Sequence, residues 1–300
     1  MREIKLSIAV ITMNRAEQLK EALESCLACE LPIETEFVII DNASTDNTEE
    51  VVKETLRDCG YSYYYEKMNE NLGVGGGRNY AFTKARGEYF YSLDDDAVIS
   101  PKNKNFFLDA VEIFKDERFI TLTTQIYDET WEDNRVENNG AVISNKCKTC
   151  FSFCGGSHFL RKSFFEGVPY IPNKYGYEEL LPSFKVYDKG KKNAFCGELL
   201  VVHKPKVNKW DYSNKGNQVI LEQAFALPYA IKKMMYPLIF RPILYLGYKA
   251  RCKKYFASNK ELKKKANKMV KDTVKNYRIK YKMKVKSVIK MYREFGLTVF

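Results

Sequence analysis

Three consecutive carboxylates, Asp94, Asp95 and Asp96, close an aromatic and apolar run from Tyr89 to Leu93. Acids this close repel one another unless a cation sits between them or solvent screens them. At a strand end they suit a hard divalent ion with oxygen ligands and room for substrate phosphates, or else an acidic turn or helix start. Upstream, Gly73-Val-Gly-Gly-Gly-Arg-Asn79 concentrates four glycines in five positions. Such a stretch lets backbone approach a ligand, and a following helix N-terminus favours phosphate; a flexible loop is the plainer alternative. Arg78 could add a charge-assisted bond to a phosphate or base. His158 and His203 are the only histidines, and His203 ends the run Val201-Val-His203.

These groups need a scaffold, and the N-terminal third supplies an alternating one. Lys5 to Thr12 is a continuous apolar run of the kind buried on both faces of a sheet. A helix follows to about Cys29, with Leu19, Ala22, Leu23, Cys26 and Leu27 on one face. Glu36 to Asp41 reads as the second strand, ending in an acid. Asn42 to Asn47 is turn chemistry, with Ser44 or Thr45 expected to cap a helix to about Asp58. Tyr61 to Tyr65 is the third strand, Gly75 to Arg86 the next helix, and the run into the acids the fourth strand. This alternation predicts an α/β fold with a mostly parallel, Rossmann-like sheet flanked by helices. Ligands bind beyond the carboxyl ends of such strands, where Thr12 to Arg15, Asp41 and Asp94 to Asp96 all fall.

Four motifs in order, Ser7 to Arg15, Ile39 to Thr48, Asn71 to Asn79 and Ala85 to Asp96, resemble the nucleotide-binding half of the inverting family-2 glycosyltransferases of GT-A fold. The resemblance covers about a hundred residues. It implies that Thr12, Asn14, Arg15 and Asp41 hold the nucleotide base, with Arg78 near base or phosphate. It implies that the acidic triplet is the family's DXD motif, with Asp94 and Asp95 toward ribose and diphosphate. Asp96, Asp94 and His203 would hold Mg²⁺ or Mn²⁺. In the segment Tyr175-Gly-Tyr-Glu-Glu179, the resemblance implies a carboxylate base for the acceptor hydroxyl, Glu179 first and Glu178 second. The segment departs from the family pattern at Leu181 and Pro182, and has Lys185 where Arg is usual. Both acids could instead simply begin a surface helix, and His203 could be a hydrogen-bonded structural residue.

The net charge of +11 is unevenly spread. Residues 247–300 carry eighteen Lys or Arg against Glu261, Asp272 and Glu294, which gives +15 and leaves the rest at −4. The expected division is a catalytic domain over 1–210, with a nucleotide-binding half over 1–100 and an acceptor half over 101–210. A basic helical tail over 211–300, broken at Pro228, Pro237 and Pro242, completes it. Its Lys and Arg beside apolar and aromatic residues fit an anionic membrane surface better than a solvated face, and nucleic acid less well than either. No uncharged run approaches the ~18–20 residues that span a bilayer. The eight cysteines, with no signal peptide ahead of them, read as reduced thiols. Cys147, Cys150 and Cys154 lack a fourth zinc ligand at customary spacing. The expected activity is metal-dependent, inverting sugar transfer from a UDP- or dTDP-type nucleotide-sugar to a glycan or lipid-linked acceptor. The expected setting is cytoplasmic, peripheral at the inner face of the cell membrane. Two other classes compete: a nucleotidyltransferase, whose glycine-rich loop after the first strand is missing here, and a noncatalytic membrane- or nucleic-acid-binding protein acting through the tail.

Overall fold

A computed structural model of the chain describes residues 3–135, 140–143, 147–206, 218–256 and 259–300. The expected boundary at 210–211 lies outside the described residues. The first half alternates as its pattern requires: β1 (Leu6–Thr12), α1 (Ala16–Leu27), β2 (Thr35–Asp41), α2 (Thr48–Leu56), β3 (Ser62–Lys67), α3 (Gly73–Lys84) and β4 (Tyr89–Asp94). Then come β5 (Ala97–Ile99), α4 (Phe106–Ile113), β6 (Phe119–Asp128), β7 (Asp133–Asn134), β8 (Cys147–Thr149) and β9 (Ser157–Arg161). The chain continues through α5 (Leu180–Asp188), β10 (Lys192–His203), α6 (Gln218–Met235), α7 (Arg241–Phe256), α8 (Lys260–Tyr277) and α9 (Val285–Phe295).

Among the described residues, ten strands form one mixed sheet in the order β3-β2-β1-β4-β9-β6-β10-β5, with β7 on β6 and β8 on β10. The first four strands are parallel, and their register sets Thr12 opposite Asp41 and Ile11 opposite Asp94. The polar residues at three strand ends therefore share one rim. β9 enters antiparallel against both β4 and β6. The acidic triplet is the turn from β4 into β5, and β5 pairs antiparallel with β10 so that Ala97 faces His203. That pairing brings a histidine from over a hundred residues downstream beside the acids.

Successive residues of β1 supply opposite faces of the sheet. Leu6, Ile8 and Val10 pack with α1, α2 and α4, and Ala9 packs with Val38, Ile40 and Phe82 of α3. A third cluster joins Phe151, Leu180, Phe184 and Tyr187 to side chains of α6 through α9. The tail is also tied by polar contacts. The Asp188 carboxylate accepts from the Tyr281 hydroxyl (2.5 Å) and the Lys284 N–H (2.7 Å), and Lys192 pairs with Glu294 (2.6 Å).

Three local expectations are corrected. The glycine-rich stretch is not a loop but forms the first turns of α3. A Cβ on Gly75 would lie 1.9 Å from the Ile171 carbonyl oxygen, and one on Gly77 would lie 2.8 Å from Ile11. The glycines let the helix press against the 171–174 segment and β1. Neither Ser44 nor Thr45 caps α2. Asp46 accepts from the Thr48 N–H instead (3.2 Å), while Ser44 Oγ accepts from Asn14 N–H (2.9 Å) and ties the first two strand-end loops together. Pro228 does not break the tail, since it lies within α6. No helix among the described residues is long and apolar enough to cross a membrane.

Candidate active site

A cleft of about 700 Å³ opens along the carboxyl-terminal rim of the sheet. Its walls include Thr12, Arg15, Arg78, Asp94, Asp95, Asp96, Glu178, Glu179 and His203. Of the site residues expected from the sequence, Asn14 and Asp41 alone are absent from its lining, and they sit at the strand-end loops directly behind it. Asp41, 1% exposed, spends its oxygens on the Ser44 N–H (2.7 Å) and the Tyr65 hydroxyl (2.9 Å). Asn14, at φ 53°, accepts from the Thr45 N–H (2.7 Å). Both fix the loops behind the cleft, and the neighbouring Asn42 reaches its lining.

One wall is made of strand ends. Asp94, Asp96 and His203 each offer a ligand atom, and these atoms lie within 4.8 Å of one another. His203 Nδ1 lies 2.9 Å from Asp128 Oδ2, and its Nε2 lies 3.1 Å from Asp96 Oδ1. With the Nδ1 proton given to Asp128, Nε2 presents a lone pair to a carboxylate oxygen. In that tautomer two acceptors stand 3.1 Å apart and favour positive charge between them; in the other, Nε2–H donates to Asp96 and Nδ1 accepts from Arg135 Nη2 at 2.8 Å. A carboxylate behind a histidine is the usual way to aim the other ring nitrogen at a metal. Two hard oxygens and one imidazole therefore fit Mg²⁺ or Mn²⁺. Arginines crowd the same wall. Arg15 Nη1 donates to Asp95 Oδ1 and Asp96 Oδ2, both at 2.7 Å. Arg135 Nη2 lies 3.3 Å from Asp128 Oδ2 and 2.8 Å from His203 Nδ1. Burial pushes Asp95 up to about 6 against the pull of Arg15, with Asp96 adding to the rise.

A second part of the lining is Tyr175 to Glu179. Gly176 and Tyr177 both adopt left-handed backbone, at φ 73° and 63°. Such a conformation is costly for an aromatic residue and persists only where its surroundings impose it. The turn delivers Glu178 and Glu179 to the start of α5. Glu178 is buried against Arg78, which also donates to Asp94 Oδ1 (2.6 Å) and the Gly155 carbonyl (2.7 Å). The second Glu178 oxygen, Oε2, is buried with no hydrogen-bond partner among the described residues. Burial raises the proton affinity of Glu178, and the Arg78 guanidinium opposes it. Glu179 is pushed up to about 8 by burial and by the negative charge of Glu178. The other histidine, His158, is fully buried and its ring spans the Gly155 carbonyl (3.0 Å) and the Tyr170 hydroxyl (2.6 Å). Its lowered proton affinity follows from burial and the nearby Arg78.

Sequence reasoning missed Asp128 and Arg135. Asp128 ends β6, so the strand-end rule that singled out Asp41 and Asp94 would have found it. Arg135 sits in a polar stretch with no local signal.

Residues 7–168 match the family model described as Glycosyl transferase family 2. The chain is 33% identical over 92 residues to the GalNAc(5)-diNAcBac-PP-undecaprenol beta-1,3-glucosyltransferase of Campylobacter jejuni, over 31% of this chain and 29% of that protein. It is 31% identical over 94 residues to the poly-beta-1,6-N-acetyl-D-glucosamine synthase of Staphylococcus epidermidis, over 31% of this chain and 22% of that protein. The chain thus spans less than a third of the length of these curated relatives. In fold it is similar to S. aureus TarS 1-349 in complex with UDP-GlcNAc, with a TM-score of 0.63 at 17% identity over 99% of this chain and 89% of that one. A second likeness is to GalNAc-T7 with UDP, GalNAc and Mn2+, with a TM-score of 0.64 at 15% identity over 98% of this chain and 58% of that one.

Proposed function

Because the chain belongs to glycosyl transferase family 2 and has the GT-A fold of its structural neighbours, we propose that it transfers a sugar, with inversion, from a nucleotide-sugar of UDP or dTDP type to a glycan or lipid-linked acceptor. The carrying observation is one cleft lined both by Asp94, Asp96 and His203 and by the Glu178–Glu179 pair. The bound UDP-GlcNAc of one neighbour supports the donor class. The names of the two curated relatives support a lipid-linked or polysaccharide acceptor, and a place in cell-surface polysaccharide synthesis.

In this reading Thr12 and Arg15 meet the nucleotide, while Asn14 and Asp41 hold the loops that shape its pocket. Asp94, Asp96 and His203 Nε2 would hold Mg²⁺ or Mn²⁺, and the charge such an ion supplies would offset that of a diphosphate leaving group. Asp128 keeps the His203 ring in register, and Arg15 and Arg135 place further positive charge along the same wall. Glu179 accepts the proton of the acceptor hydroxyl as that oxygen attacks the anomeric carbon. A proton affinity near neutrality suits this task. Glu178, locked on Arg78, keeps negative charge behind Glu179. In this reading residues 1–210 serve as the catalytic domain, the described helices from Gln218 onward belong to its tail, and the protein works at the inner face of the membrane.

Thermal denaturation with UDP- and dTDP-sugars, each with and without Mn²⁺, tests the reading. A donor at a hundredfold excess over its dissociation constant stabilises by about 2.7 kcal/mol, and this shift is expected only with the metal present. Equal shifts without metal would remove the metal from the scheme. No shift with any nucleotide-sugar would sink the function.

A further inference from the structure

Helix α9 divides its circumference into three stripes at 100° per residue. Val288, Met291 and Phe295 are buried in the helical core. Lys286, Lys290 and Arg293 repeat with nearly the same spacing on the solvent side. Between these stripes run Val285, Ile289 and Tyr292, all exposed. A helix whose only task is to cover a core shows polar residues there.

The apolar stripe continues beyond the helix. The Tyr292 ring lies 5.7 Å from that of Phe300, which lies 5.7 Å from that of Phe240. The turn into Phe240 exposes Leu238 (64%) and Ile239 (66%), α7 exposes Leu246 (63%) beside Gly247, and Leu297 follows α9 at 69%. Gly247 approaches the Phe300 carbonyl so closely that a Cβ would sit 3.4 Å away. Single exposed apolar residues are ordinary, but a contiguous group rimmed by charge marks a docking face.

We propose that this face, built from α9, the Leu238–Phe240 turn, the start of α7 and the end of the chain, docks on an anionic phospholipid surface. The apolar stripe would enter the headgroup boundary while Lys286, Lys290 and Arg293 meet lipid phosphates. Helix α8 is the internal contrast: it is more basic than α9, yet its exposed face carries no large apolar side chain, as expected of a solvated helix. A second copy would bring two tails of +15 together, against electrostatic repulsion. Nucleic acid gives no reason for six exposed aliphatic side chains. The inference stands on the geometry of α9 and not on the transfer reading, although it names where a lipid-linked acceptor would be met.

Flotation of the full chain with vesicles of phosphatidylcholine, alone or mixed with phosphatidylglycerol, tests it without any sugar donor. Binding is expected only to the mixed vesicles. The triple variant Lys286→Gln, Lys290→Gln, Arg293→Gln should weaken it on the order of a hundredfold, at about fivefold per charge. The variant Leu246→Ser, Ile289→Ser, Leu297→Ser should abolish stable flotation at unchanged charge. The α8 variant Lys264→Gln, Lys265→Gln, Lys268→Gln should float nearly as the parent does. Equal losses from the α8 and α9 charge variants, indifference to the serine variant, or absence of flotation would each overturn the proposal. So would a dimer in sedimentation that the serine variant dissolves, or duplex DNA displacing the vesicles. Thermal midpoints of all variants distinguish lost docking from lost folding.

Discussion

The two walls of the cleft are both acidic, yet they are built differently. On one side Asp94, Asp96 and His203 project from the ends of strands in a single sheet, braced by Arg15, Asp128 and Arg135. On the other, Glu178 and Glu179 start a short helix that packs on the tail, and its last residue, Asp188, is held by Tyr281 and Lys284. The first wall surrounds its carboxylates with positive charge and leaves a seat for more. The second pins one carboxylate on Arg78 and leaves its neighbour with a proton affinity near neutrality. The same residue chemistry thus yields a cation seat where charges are compensated, and a proton carrier where burial and a like charge prevail.

Arg78 belongs to both walls, donating to Glu178 and Asp94 from 2% exposure. Replacing it with Leu strands two carboxylates, one fully buried, and should cost about 3–5 kcal/mol in urea unfolding. A loss below about 1 kcal/mol would mean that the walls do not lean on it. Asp96→Asn acts on the strand wall alone. Turnover should drop by about 10²–10³, in line with removing one electrostatic stabiliser. The apparent affinity for Mn²⁺ should weaken with it while the fold stays intact, since Arg15 keeps its bond to Asp95. Normal turnover would reject the assignment of the strand wall.

Glu179→Gln acts on the other wall and should lower turnover by about 10²-fold with Mn²⁺ affinity unchanged. Its pH behaviour separates a base from a bystander. With the folded-state value raised to about 8, the parent's activity should climb as pH rises through that value, and the variant should lose this limb. Stability should move the other way. Between the ordinary carboxylate range and about 8 the folded state binds more protons than the unfolded one, so the parent loses stability as pH rises. The Gln variant should escape that loss and melt higher than the parent above pH 8. A shared activity limb in both proteins would transfer the role to Glu178.

The strand wall was largely legible in the sequence because it is made by local units. Each β-α pair of the first hundred residues carries its own apolar run, turn and helix face, and parallel register then aligns the strand ends without further information. Asp94, Asp96, Thr12 and Arg15 follow from that rule. His203 came from the resemblance, and its position depends on β5 pairing with β10, a contact between distant segments. The glycines were legible only in part, because the same freedom that admits a ligand also admits another backbone, here that of Ile171 against Gly75. The helical wall was legible only as two adjacent acids. Nothing local announces that Glu178 meets Arg78 a hundred residues away, or that Asp188 is seated on the tail.

That seating sets the smallest effect and the sharpest contrast between the walls. Tyr281 donates to Asp188 Oδ2 at 2.5 Å, and Phe at this position keeps the ring while removing the donor. A hydrogen bond to a charged group contributes about 1.5–3 kcal/mol, and partial exposure of this pair reduces the expected loss to about 1 kcal/mol. Asp188 keeps its bond from the Lys284 N–H, so the helix should loosen without detaching. If α5 transmits the tail's position to Glu179, Tyr281→Phe should blunt the activity limb near pH 8 and lower turnover a fewfold. Mn²⁺ and donor affinities, set by strand ends far from Tyr281, should not move. Were they to weaken in step with turnover, the two walls would be one mechanical unit, and the distinction between a sheet-built cation seat and a tail-supported base would fail.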